Sequence, residues 1–215
     1  IPNPSTNSFV NYNSDEEFSH DYFHSHLLSP SIFLSPSRPR ERFVEDSSEA
    51  RKITEEVFEA MTNKKLPSEI SVNVLPLDDF RLIHSQFGSW SNGILGFSVN
   101  GKNKLVFVRE DSLDSVLIVL GHEIGHVLTD TLPNKHDEEA KAFAFSIEWA
   151  KTIRKHNIAG LRESIRDELD FNPARNGLHD VAFGFVNLMA RKGRKAIEVH
   201  KDLVNGYRSV FDINY

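Results

Sequence analysis

The 215 residues carry a formal charge of −6 and contain no cysteine, which excludes disulfides, thiolate metal ligands and a thiol nucleophile. The acidic balance argues against general nucleic-acid binding, and no basic stripe occurs before Arg191 to Lys195. No apolar run reaches the ~20 residues that span a bilayer, so no membrane span is expected. With no signal-like segment in these residues, the expected location is cytoplasmic.

Taken in chain order, residues 1–45 are rich in Ser, Pro and Asn with few periodic apolar positions. They form an N-terminal extension expected to be partly irregular and able to lie over a cleft as a lid. Phe18, Tyr22 and Phe23 suggest a short docked helix. Pro30, Pro36 and Pro39 give Ser29 to Arg40 the look of a linker, and His20, His24 and His26 form a loose cluster suited to solvent or to a second metal site. Ser48 to Thr62 then reads as an amphipathic helix, with Ala50, Ile53, Val57, Phe58 and Met61 on one side and Ser47 or Ser48 as its cap. Ile70 to Leu75 alternates as a strand. Asp79 to Phe87 fits a short helix or a loop equally well. Phe97 to Val99 and Leu105 to Val108, joined by Asn100-Gly101-Lys102-Asn103, form a hairpin.

The hairpin leads into Val116 to Leu128, whose apolar residues recur at helical spacing. Inside it lies Gly121-His122-Glu123-Ile124-Gly125-His126. Positions i and i+4 share a helix face, so His122 and His126 can offer imidazole nitrogens to one ion. Glu123 can reach a water on that ion without ligating it, the arrangement of the HExxH motif. The competing reading is a core helix with two hydrogen-bonded histidines and a solvated glutamate. It would bury two imidazoles with little compensation, a difficulty that a shared cation removes. Gly121 and Gly125 each weaken a helix interior by about 1 kcal/mol relative to Ala, which points to close approach of a neighbouring backbone.

A second helix, Asp137 to His156, opens with three acids and turns Ala140, Phe143, Ala144, Ile147 and Ala150 inward. A catalytic zinc needs a third protein ligand, and a short loop folds this acidic start back beside the motif. Glu139 begins the inward face and is the choice. Asp137, Glu138 and His136 remain alternatives, because helix starts shift by a residue or two; the acids that do not ligate are expected to be solvated and to act on the helix dipole. Leu161 to Leu169 is expected to be helical, and two more helical stretches follow around Gly193. His179 and Tyr207 are candidates to stabilise an oxyanion, but nothing in the sequence places either near the metal, and ordinary surface or core roles suit them better.

Helix, strand, glycine-rich segment, hairpin, HExxH helix and acidic helix together resemble the gluzincin group of zincin metallopeptidases. The closest resemblance is to the short soluble peptidases of the ImmA/IrrE type. His122-Glu123-Ile124-Gly125-His126 matches that pattern, and so do Glu139, Ala142, Phe145 and Ser146 in order, with a departure at Phe143. The resemblance covers roughly residues 50–156. It implies an α+β, zincin-like fold: a small mixed sheet packed on an active-site helix and a glutamate helix, with extra C-terminal helices. The expected plan is an extension over 1–45, a metallopeptidase domain over 46–158 and a helical extension over 159–215. It further implies Zn²⁺ held by His122, His126 and Glu139, Glu123 as general base, and a protein or peptide substrate lying beside an edge strand, expected at Leu105 to Val108. Two alternatives stand beside this: a zinc-stabilised binding module without catalysis, and a SprT-type protease whose third ligand is a histidine, for which His136 would serve.

Overall fold

The computed structural model describes residues 29–169 and 177–212 and the backbone of 23–26. Phe18, Tyr22, His20 and the side chains of His24 and His26 lie outside the described residues. The chain folds as α+β. A four-stranded mixed sheet has the order β1-β4-β5-β3, built from β1 (Phe23–His26), β3 (Ile70–Leu75), β4 (Gly96–Asn100) and β5 (Lys104–Arg109). Antiparallel β4 and β5 form the expected hairpin, with Gly96 opposite Val108 and Asn100 opposite Lys104. Strand β3 runs parallel to β5 from Ile70↔Lys104 to Leu75↔Arg109. A separate two-stranded ladder joins β2 (Phe43–Val44) to β6 (Asp111–Ser112).

Four helices carry most of the core around this sheet: α1 (Ser47–Thr62), α3 (Leu113–Val127), α4 (Lys135–His156) and α5 (Leu178–Arg191). The shorter α2 (Leu77–His84) and α6 (Ala196–Val204) complete the set. Helix α3 packs on the sheet, chiefly β4 and β5, and on α4. Every one of its fifteen residues is buried, as its nearly uniform apolar sequence requires. One buried cluster extends from Phe33 to Val210 and includes Leu117, Phe145, Trp149, Phe183 and Leu203. A smaller aromatic cluster of Phe80, Phe97 and Phe107 lies under α2. Among the described residues no helix is long and apolar enough to cross a membrane.

Several local expectations change. Phe23 lies in a strand, where pairing with β4 supplies backbone partners that a short isolated helix would lack. The segment read as a linker is docked: a 3₁₀ turn at Pro30–Ile32 leads to Phe33 and Leu34, both buried, and Leu34 bridges to Ile165. Asp46, not a serine, caps α1 by accepting from Ser48 N, and those hydrogen bonds hold its carboxyl below the usual carboxylate range. Leu161 to Leu169 is only partly helical. A 3₁₀ stretch over Ile158–Glu163, with Ala159 and Gly160 at positive φ, gives way to irregular chain. Strand β5, expected at an edge, lies between β4 and β3 because β3 joins its far side in parallel.

Candidate metal centre

Helices α3 and α4 meet where both carry small residues. A Cβ on Gly125 would stand 2.9 Å from Ala142 Cα, so this glycine gives the close backbone approach expected of it. Gly121 instead makes room for an aromatic ring: a Cβ there would stand 2.5 Å from Trp149 Cδ1. The indole Nε1 donates to Leu117 O at 2.9 Å, fixing α4 against α3. This contact sets His122, His126 and Glu139 face to face.

The three form a wholly buried group whose potential ligand atoms all lie within 4.8 Å of one another, and it could hold a metal ion. The two Nε2 atoms are 3.3 Å apart. Glu139 Oε2 is 3.6 Å from His122 Nε2, and Oε1 is 3.7 Å from His126 Nε2. A tetrahedral ion with ligand bonds near 2.0–2.1 Å sets adjacent donors about 3.3–3.4 Å apart, so the set fits such an ion with small adjustment.

The outer ring nitrogens decide which lone pairs face inward. His126 Nδ1 donates to Glu138 Oε1 at 2.8 Å. Ser146 Oγ, its proton committed to Ala142 O at 2.8 Å, faces His122 Nδ1 at 3.4 Å. Both contacts favour the Nδ1–H tautomer, which turns the Nε2 lone pairs toward the centre. Charge points the same way. Among the described residues, Glu123, Glu138 and Glu139 are buried near the Lys141 ammonium, a carboxylate-rich interior that suits a cation.

The three acids at the start of α4 separate into three roles, because successive helical residues point about 100° apart. Asp137 turns outward, and its Oδ1 accepts from Ser209 Oγ and Val210 N, tying down the C-terminal turn. Glu138 is buried, contrary to the solvated role expected for it. Its Oε1 takes His126, and its Oε2 takes Leu132 N at 2.7 Å and Lys141 Nζ at 2.9 Å. Glu139 alone joins the histidine pair. His136 stands edge-on to Phe211 instead of joining the pair.

Ser98, Asn100 and Lys141 join the centre without being apparent from sequence. Ser98 of β4 donates to Glu123 Oε2 at 2.8 Å. Lys141 and Asn100 satisfy carbonyls at the C-terminal end of α3: Lys141 Nζ donates to His126 O and Asp130 O, and Asn100 Nδ2 to His126 O and Thr129 O. His179, from α5, is buried with Nε2 3.2 Å from Glu139 Oε2. Tyr207 is 77% exposed and carries no such placement. Phe143 packs its ring against those of both His122 and His179, at centroid distances of 4.9 and 5.7 Å. A mostly alanine and phenylalanine inward face signals helix packing, and no local pattern marks Lys141 or Ser98.

Compared with known proteins, the chain matches no family model, no curated protein and no solved structure.

Proposed function

We propose that this protein is a zinc-dependent metalloendopeptidase of the gluzincin type, similar to the ImmA/IrrE peptidases. The observation that carries this reading is the buried convergence of two Nε2 atoms and Glu139 at tetrahedral spacing, one residue away from a carboxylate that does not join them. His122, His126 and Glu139 are the ligands in this reading. Zinc bound there supplies a water acidified to a pKa of about 7 and a Lewis acid for the scissile carbonyl.

Glu123 is the general base. Ser98 Oγ donates to its Oε2 and holds the carboxylate in place; that carboxylate would accept the proton of the attacking water and then deliver it to the departing amine nitrogen. Glu138 fixes the ring of His126, and His179 sits against Glu139 Oε2, the oxygen that also faces His122 Nε2, as a positioning residue. The substrate is a protein or peptide in extended form, laid beside the sheet where β4 passes Glu123.

The test pairs metal analysis with a variant. Protein purified without added metal is expected to carry one zinc per chain and to cleave a mixed peptide library. Glu123→Gln should keep the zinc and lose turnover by a factor of about 10²–10⁴. Turnover retained in Glu123→Gln rejects the base. Zinc held in the wild type by four protein ligands, with no cleavage, favours the binding-module alternative.

A further inference from the structure

Strand β4 lies hard against the motif helix. A Cβ on Gly96 would stand 2.4 Å from Val119 Cγ1 and 3.1 Å from Glu123 Oε1, Ser98 reaches Glu123, and Asn100 reaches the carbonyl of His126. One edge of β4 is taken by β5. The other edge is the one from which an extended peptide can add to the sheet next to the base and the histidines. In this chain that edge is already filled. The backbone of Phe23–His26 runs antiparallel to β4, with Phe23 opposite Val99, His24 opposite Ser98, Ser25 opposite Phe97 and His26 opposite Gly96.

We propose that Phe23–His26 is an internal occupant of the substrate edge, an intramolecular competitor that an extended peptide must displace from β4 before it can be cut. The identity of that peptide as a substrate rests on the peptidase reading; the competition for the edge does not. The physical basis is modest and specific. Among the described residues no further strand lies beyond these four, and a short strand paired there with β4 alone is a weak tenant. Its covalent attachment to the docked segment that begins at Ser29 makes pairing with β4 an intramolecular event and so keeps it locally concentrated. The segment therefore keeps the edge closed against dilute peptides, yet yields to a partner with side-chain pockets to fill or to removal of the segment itself. A strand that merely shields a sheet edge from aggregation would sit in the same place, and the experiment separates the two.

Successive N–H groups of a strand face opposite edges, so of His24→Pro and Ser25→Pro one removes a donor to β4 and the other serves as a matched control. The double variant removes the donor whichever it is. All are made in the full chain in a Glu123→Gln background, which prevents cleavage of the probe. The probe is a fluorescent peptide of residues 21–29, titrated into zinc-loaded and zinc-free protein, with amide exchange of β4 followed in parallel. One single variant and the double are expected to expose the β4 amides that face β1. The same proteins should bind the probe at least about tenfold more tightly, as follows when the competent edge is open less than about a tenth of the time. With Glu123 restored, cleavage of a peptide library should rise by a similar factor.

Exposed β4 amides with unchanged probe binding would overturn the proposal in favour of simple edge protection. Unchanged amide exchange in the double variant would overturn it too, by showing that β1 does not close this edge. Tighter probe binding with no hydrolysis in any variant would sink the peptidase reading and leave the competition standing.

Discussion

Glu138 and Lys141 form a buried pair at the centre's edge, and breaking it should cost at least as much as removing it. Lys141 Nζ is fully buried and uses all three of its donors, on Glu138 Oε2, His126 O and Asp130 O. Glu138→Leu strands that ammonium, the Leu132 N–H and the His126 Nδ1–H together. Losing one partner of a buried ion pair costs about 3–5 kcal/mol, a large share of the roughly 5–15 kcal/mol that holds a domain folded. Burial already pushes the Lys141 ammonium below its ordinary pKa, with Glu138 opposing that shift, so the single variant should partly escape by shedding the proton. Lys141→Met in the Glu138→Leu background removes the stranded charge. The double variant should therefore lose no more than Glu138→Leu alone, a coupling of about 2–3 kcal/mol. Urea unfolding of metal-free protein measures all four corners of the cycle. Zinc competition titrations add the second readout. Glu138→Gln should weaken zinc by about 10–100-fold, the usual cost of an outer hydrogen-bond partner, and Glu139→Gln should weaken it more. Additive losses in the cycle would show that the pair is not coupled, and a reversed zinc ranking would make Glu138 the ligand.

Gly125→Ala sets helix propensity against packing. The alanine gains about 1 kcal/mol of propensity, yet its Cβ meets Ala142 Cα at 2.9 Å and Ala142 O at 3.1 Å, an overpacking cost of about 1–3 kcal/mol. Thermal melting should show a net loss and zinc titration a weaker site, since α4 carries Glu139; a variant as stable and as tight as wild type contradicts the close approach. His200 supplies a pH prediction. Burial lowers its pKa to about 4, and its Nδ1 donates to Lys141 O at 3.1 Å. The folded state therefore resists a proton that the unfolded chain binds near 6.5. Its stabilisation is complete above about 6.5 and is lost as pH falls towards 4, by on the order of 3 kcal/mol. Metal-free His200→Asn should show a flatter stability profile across that window, and a slope equal to wild type would remove His200 as its source.

Local geometry explains what the residues alone made legible. An i,i+4 histidine pair shares a face in any helix, and the apolar spacing around it demands a helix. The alternation of Ile70 to Leu75 and the turn at Asn100 to Asn103 likewise depend on neighbours in the chain, and these elements stand where they were expected. Glu139 was reachable because the inward face of α4 repeats at 3.6 residues. Its neighbour Glu138 was misjudged because a buried or a solvated carboxylate at a helix start has the same sequence signature.

The tertiary structure alone decided the rest, and the reason is sequence distance. Strand order is set by long-range pairing, so only the fold places β5 inside the sheet and Phe23–His26 at its edge. Ser98 reaches Glu123 from 25 positions away, and His179 arrives at Glu139 on a helix forty residues further on, carried there because α5 packs on α4. Short-range spacing determined that an ion could be gripped here; the approach of α4 to α3 through Gly121 and Gly125 decided which acid faces the histidine pair.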